Sequence, residues 1–207
     1  MKYEWRKQEK EWYKGKKEAG MISVPMQKFI MIQGKGNPNN EDFSLRVGAL
    51  YSMAYGIKMF YKKTVKEMTQ IQYDDFSVYP LEGIWRKPKG AELVKETLEY
   101  TIMIRQPDFV TEEIVEAAFE KVKEKKADPL LDQMKFSSLQ DGNCIEILHI
   151  GSYDDEPESF FQMDQFAQQQ GMKRTGDWHR EIYLSNAKRC QKSRLKTILR
   201  YPVESIE

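Results

Sequence analysis

Two hydrophobic rhythms alternate along the chain: short apolar runs of strand length, and longer stripes recurring every three to four residues, as on a helix. Residues 23–35 hold the run Val24-Pro25-Met26-Gln27-Lys28-Phe29-Ile30-Met31-Ile32, which predicts a buried strand, and Gly34-Lys35-Gly36-Asn37-Pro38-Asn39-Asn40 predicts the turn that ends it. A helix is expected next. Asn40 caps it, Glu41 and Asp42 complement its dipole, and Phe43, Val47, Leu50, Ala54, Ile57 and Tyr61 share one apolar face, with Tyr51, Tyr55 and Met59 in a second stripe beside it. Strand-like pieces at Phe76-Ser77-Val78-Tyr79 and Leu81-Glu82-Gly83-Ile84-Trp85 are separated by Pro80. Residues 87–92 then predict a turn rich in Pro, Gly and Lys, and residues 98–105 a further strand. Thr111 caps a connecting helix that runs to about Lys126.

A short strand near residues 134–139 and a turn at Asp141-Gly142 introduce a second series: strand 144–150, turn 151–157, a helix to about Gln170, and strands 179–184 and 196–203. Ile30-Met31-Ile32-Gln33-Gly34 resembles Ile147-Leu148-His149-Ile150-Gly151, and Met103-Ile104-Arg105-Gln106-Pro107 resembles Ile198-Leu199-Arg200-Tyr201-Pro202. Each half therefore reads as one βαββ unit. A single unit leaves sheet edges and an apolar helix face uncovered, so two are expected to pair about a pseudo-two-fold axis. The expected fold is α+β: duplicated βαββ units forming one antiparallel sheet, with two long helices flanking a central ligand pocket. One domain over residues 1–207 divides into an N-terminal arm (1–20), a first half (21–110), a connecting helix (111–133) and a second half (134–207). Tyr3, Trp5, Trp12 and Tyr13 suit an arm lying across the domain with its aromatics tucked in.

Charge adds little and excludes much. Lys and Arg number 33 against 32 Asp and Glu, a formal net charge of +1, and acidic residues interleave with the basic ones of the arm. No phosphate-tracking stripe forms, so direct nucleic-acid binding is not expected. Cys144 and Cys190 lack a CxxC or a neighbouring His cluster, which argues against a disulfide framework or a metal site. The charged N-terminus has no signal-peptide core and no window is apolar enough to span a bilayer, so a cytoplasmic protein without a membrane partner is expected. Gly34-Lys35-Gly36 lacks the spacing of a phosphate loop, and no cofactor is implied. The 12% aromatic content and 11 Met suit a tolerant binding pocket as well as an aromatic core.

The most informative run is Leu148-His149-Ile150-Gly151-Ser152-Tyr153-Asp154-Asp155-Glu156-Pro157, followed by His179-Arg180-Glu181-Ile182-Tyr183-Leu184-Ser185 and Lys196-Thr197-Ile198-Leu199-Arg200-Tyr201-Pro202. With Tyr79-Pro80-Leu81-Glu82-Gly83-Ile84-Trp85 and Gln106-Pro107-Asp108-Phe109-Val110, this set resembles the GyrI-like family of small-molecule-binding domains over nearly the whole chain. The resemblance implies a duplicated βαββ fold, an aromatic pocket for lipophilic or cationic compounds, and a glutamate in that pocket. In one subfamily, the cyclopropanoid cyclopropyl hydrolases, the resemblance implies opening of the strained cyclopropane of DNA-alkylating compounds by water. The family also includes effector-binding halves of transcription regulators and gyrase inhibitors, but too few residues precede the first strand for a helix-turn-helix domain. Relatives often read His-His-Glu-Ile-Tyr where this chain has Arg180, and Asp-Pro where it has Asn186-Ala187. Neither change removes the glutamate.

On a strand, His179, Glu181 and Tyr183 share one face and Arg180, Ile182 and Leu184 the other. A carboxylate among aromatic groups loses hydration and becomes a better proton acceptor, which makes Glu181 a candidate catalytic residue. Glu82, on the corresponding strand of the first half, is the second candidate, because strand register is not fixed by sequence. Tyr51, Tyr55, Tyr79, Trp85, Phe160, Phe161, Trp178, His179 and Tyr183 are candidates for the ligand cage, although helical aromatic stripes are more often core. Three functions stay open: a cofactor-independent hydrolase of cyclopropane-bearing xenobiotics, a binder that sequesters drugs without changing them, and a module that contacts gyrase.

Overall fold

The computed structural model of the chain describes residues 1–67, 71–86 and 94–206. The turn expected over residues 87–92 lies outside these. The arm supplies a two-residue strand β1 (Lys2–Tyr3) and two single-turn helices, α1 (Trp5–Gln8) and α2 (Lys10–Tyr13). The first unit consists of β2 (Gly20–Lys35), α3 (Glu41–Thr64), the short β3 (Asp75–Phe76), β4 (Leu81–Arg86) and β5 (Glu99–Gln106). Helix α4 (Glu112–Lys125) connects it to β6 (Lys135–Ile150), α5 (Glu156–Gln169), β7 (Met172–Arg174), β8 (Trp178–Tyr183) and β9 (Lys196–Ser205).

The main sheet runs β6-β2-β5-β4-β8-β9-β7, all antiparallel, and β6 also pairs with β9. Each βαββ unit thus places its last strand between its other two, and the units meet where β4 pairs with β8. The fold is the α+β arrangement expected from the duplicated pattern, with three differences: the piece expected at residues 76–79 is reduced to β3, which pairs in parallel with β1 of the arm outside the main sheet; β7 is an added edge strand; and β6 is longer than expected. The strand expected near residues 134–139 and the strand expected over 144–150 are one strand of 16 residues. The Asp141-Gly142 step does not turn the chain back; Gly142 takes φ 69° inside the strand, a value that a residue without Cβ adopts without strain. The first part of β6 pairs with β2 and its last part with β9, which closes the strands into a ring.

Paired residues in antiparallel strands point to the same side, so the registers define two faces. Ile30, Ile32, Ile102 and Ile104 face α3, where Leu50, Met53, Ala54 and Ile57 bury the stripe expected of that helix. In the second half Ile145, Ile147, Leu199 and Tyr201 pack on Met163 and Ala167 of α5. The opposite face carries buried charge and is covered by the arm. Arg180 donates to Glu82 at 3.2 Å and to Asp141 at 2.8 Å, Arg200 to Glu146 at 2.7 Å, and Arg105 pairs with Glu9 of the arm. The Tyr13 hydroxyl donates to Glu82 at 2.8 Å, the Arg200 guanidinium to the Trp12 carbonyl at 2.9 Å, and Trp5 and Tyr13 are buried.

Removing one partner of a buried ion pair leaves the other uncompensated, at a cost of about 3–5 kcal/mol. Arg180→Ala strands both Glu82 and Asp141, and its unfolding midpoint in urea is expected to fall by the equivalent of that amount.

Candidate functional site

On β8 the alternation puts His179, Glu181 and Tyr183 on the helix-bearing face, and the register sets Glu181 opposite Gly83 and His179 opposite Trp85 of β4. Glu181 is buried and both of its oxygens are engaged. The Tyr183 hydroxyl donates to Oε2 at 2.7 Å, and His179 Nε2 lies 2.9 Å from Oε1. Trp85 Nε1 donates to the Tyr183 hydroxyl at 2.9 Å, so an indole, a phenol and a carboxylate form one chain across the seam between the halves. Gly83 makes room for it: a Cβ there would meet Trp85 Nε1 at 2.7 Å and the Tyr183 hydroxyl at 3.3 Å. Phe160 of α5 sets its ring against His179 at 4.8 Å between centroids, and Tyr153 meets Tyr183 edge-on at 6.0 Å. Burial and the Glu181 carboxylate hold the Tyr183 phenol well above its usual range.

The candidates do not all gather here. Glu82 occupies the opposite face from Glu181, opposite Ile182, with Arg180 and Tyr13 on its oxygens. Burial pushes its carboxyl up while Arg180 and the Tyr13 hydroxyl pull it back. The two glutamates therefore do not face each other across the seam. Tyr79 is also on the arm side, donating to Glu9 at 2.6 Å beside Arg105. Trp178 alternates away from His179, opposite Arg86. Tyr51 is half-buried against the backbone of Leu81, and burial raises its phenol. Tyr55 and Phe161 point outward, 54% and 57% exposed. Trp85 is buried in a cluster with Phe43 and Tyr100 as well as touching the site. Two concavities lie elsewhere: one of about 340 Å³ among Tyr61, Val65, Tyr73, Phe109 and Ile114, and one of about 420 Å³ among Ile150, Arg189, Cys190, Arg194 and Lys196.

One member was not foreseen. Glu156, in the first turn of α5, has a carboxylate oxygen within 4.8 Å of donor atoms of both His179 and Glu181. It is buried, and its Oε1 has no hydrogen-bond partner among the described residues. Burial, then the Glu181 carboxylate and Asp154, push its pKa up to about 9. The helix N-terminus favours the ionised form by only about 0.3–1 kcal/mol, too little to reverse this. In the sequence Glu156 reads as one acid of a turn, Asp154-Asp155-Glu156-Pro157; nothing in its spacing ties it to a strand some two dozen positions later. Glu156, His179 and Glu181 together offer the donor set of a metal site, two carboxylates and an imidazole. His149, by contrast, is structural, its two ring nitrogens 2.9 Å from Ser159 Oγ and the Ser152 carbonyl.

A family model for the GyrI-like small molecule binding domain matches residues 21–204. The chain belongs to the GyrI-like family. It is similar to an uncharacterized conserved protein from Listeria innocua, at 35% identity and TM-score 0.87 over 98% of this chain and 100% of that one. A hydrolase from Listeria innocua is 34% identical, with TM-score 0.85 over 98% and 100% of the two chains. The EcmrR C-terminal domain, 11% identical with TM-score 0.56 over 91% and 98%, shares the fold. No curated protein matches the chain. As a GyrI-like domain the chain binds small molecules, and no helix among the described residues is long and apolar enough to cross a membrane.

Two outcomes are expected if these residues form the binding site of the GyrI-like domain. Gly83→Ala is expected to push the Trp85 and Tyr183 side chains apart, weakening ligand binding measured by calorimetry by roughly tenfold while the protein stays folded, since a strained side-chain position costs on the order of 1 kcal/mol. Glu156 has a folded-state pKa above its unfolded value, so its stabilising contribution is present below the ordinary glutamate range and is lost as pH rises through about 9. Glu156→Gln keeps the neutral shape, and its melting temperature is expected to exceed the wild type's near about pH 9, with the gap closing toward about pH 4.

Proposed function

We propose that the chain binds flat lipophilic electrophiles against Glu181 and hydrolyses them, cyclopropane-bearing alkylating compounds being the class that the family resemblance suggests. The observation that carries this reading is the engaged, buried Glu181: a carboxylate fixed by Tyr183 and His179 on the aromatic face where the halves meet, and not paired with Lys or Arg among the described residues. Such a group is free to take a proton from a water, which Trp85, Tyr153 and Phe160 would hold against a planar substrate. Water's oxygen bonds to the strained carbon, the ring bond breaks toward the electron-accepting group, and Glu181 takes the proton. No covalent enzyme intermediate is required. The name of the Listeria hydrolase at 34% identity supports the same reading.

Binding without chemistry is the second reading. Uncompensated carboxylates beside Tyr and Trp faces also attract cations, each ring contributing about 0.5–2 kcal/mol. Under that reading a lipophilic cationic drug is held in the protein and released unchanged.

Incubating the protein with a cyclopropane-bearing alkylating compound and following its mass separates the two. Catalytic gain of one water is expected, with turnover lowered roughly 10²–10⁴-fold in Glu181→Gln and binding retained. Glu82→Gln is expected to keep the rate per folded molecule and to lose stability instead. A compound retained unchanged at long times would leave only the sequestering reading.

A further inference from the structure

Five glutamates are buried among the described residues: Glu9, Glu82, Glu146, Glu156 and Glu181. Three are held by guanidinium groups, Glu9 by Arg105, Glu82 by Arg180 and Glu146 by Arg200. Glu156 and Glu181 have no Lys or Arg partner among those residues, and they stand together with His179 between α5 and β8. Buried charges are paired or coordinate metals. Glu156 is only 8% exposed and its Oε1 has no hydrogen-bond partner among the described residues, so a carboxyl turned toward His179 and Glu181 is left with an oxygen that nothing there satisfies. One carboxylate oxygen from each glutamate and a ring nitrogen of His179 all lie within 4.8 Å of one another.

We propose that Glu156, His179 and Glu181 bind one divalent transition-metal ion of the zinc class. Donors held tetrahedrally at about 2.1 Å from such an ion stand about 3.4 Å apart. The contact of His179 Nε2 with Glu181 Oε1, now 2.9 Å, opens slightly to admit it, and Glu156 closes from the other side. His179 then carries its proton on Nδ1 and turns the Nε2 lone pair to the ion. The surroundings already hold two of the donors in place: the Tyr183 hydroxyl donates to Glu181 Oε2 at 2.7 Å and is itself fixed by Trp85 Nε1, and the Phe160 ring rests on His179. Partners of this kind orient metal ligands and raise affinity. An imidazole and only three protein donors select the zinc class, because Mg²⁺ and Ca²⁺ take six or more ligands, almost all of them oxygen. Three protein ligands leave a fourth position for water or for a donor atom of a bound small molecule. The ion occupies the lone pair with which Glu181 would take a proton from water, so the two uses of that carboxylate alternate, and metal binding does not depend on the hydrolysis proposed above.

The test uses the full chain, stripped with a chelator, dialysed, and titrated with zinc sulfate by calorimetry in the presence of excess Mg²⁺. One equivalent per chain is expected to bind, with affinity lowered in Glu156→Gln and His179→Ala by at least the roughly 10–100-fold that loss of an outer-shell partner costs, and lowered by about that factor itself in Tyr183→Phe. Cys190→Ser, which removes the thiol near Tyr153, is expected to bind as the wild type does. A second measurement needs no variant. The chain has two histidines, and both ring nitrogens of His149 are engaged by Ser159 and Ser152, so zinc is expected to shift the imidazole NMR resonances of His179 and to leave those of His149 in place. Binding that leaves His179 unshifted, that survives Glu156→Gln and His179→Ala, or that is lost in Cys190→Ser would put the ion elsewhere and overturn the proposal, as would no binding at all. Zinc bound at His179 by a protein that leaves the cyclopropane compound unchanged would keep this site and remove the hydrolase reading; turnover by the stripped protein with no zinc bound would do the reverse.

Discussion

The pairing of Gly83 with Glu181 is the constraint on which the rest depends. In a pleated sheet a slip of one residue exchanges the two faces, so this register decides which acids meet the helices and which meet the arm. With it, Glu181, His179 and Tyr183 join Trp85 on one side. One step away, Arg180 would take the place of Glu181 beside Trp85 and leave Glu82 on the other side without its guanidinium. The missing side chain at Gly83 makes the register chemically useful, because the indole, the phenol and the carboxylate converge in the space it leaves.

The same sheet therefore carries two kinds of acid. On the arm side each buried carboxylate has a guanidinium: Glu82 and Asp141 share Arg180, Glu146 has Arg200, and Glu9 has Arg105. Charges so paired are costly to bury and costly to break, and they specify how the arm seats. On the helix side Glu156 and Glu181 stand beside an imidazole and phenols, and neither is paired with Lys or Arg among the described residues. A carboxylate with a permanent partner does little chemistry; one without a partner must hold a proton, bind a cation or act on a substrate. On β4 and β8 a single alternation of the strand separates the acid paired with a guanidinium, Glu82, from the one held by a phenol and an imidazole, Glu181.

Much of this was legible in the sequence. The two βαββ series, the long helix with its apolar stripe and the grouping of His179, Glu181 and Tyr183 follow from hydrophobic period and strand alternation alone. The Asp141-Gly142 step predicts a turn because Gly after Asp usually reverses the chain, whereas here long-range pairing on both sides of it keeps the strand extended. Glu82 looked equivalent to Glu181 by duplication, and the sequence lacks the register that separates them. Tyr79 and Trp178 suit a ligand cage by their rings alone, but Tyr79 answers to Glu9 of the arm, and Trp178 alternates to the face opposite its neighbour His179. Glu156 was invisible because its significance is a distance between elements, which no local pattern encodes.

The double pairing of β6 has a consequence for how anything reaches the site. A sheet with two free edges can hinge between its halves, but here the strands form a hoop joined at both seams, β4 to β8 and β2 to β6. Prising the halves apart would break ladders of backbone hydrogen bonds together with the ion pairs beneath them. The helix side is held differently: there α5 is seated by side-chain packing, with Met163 and Ala167 on the sheet and Phe160 against His179, and not by a ladder of backbone bonds.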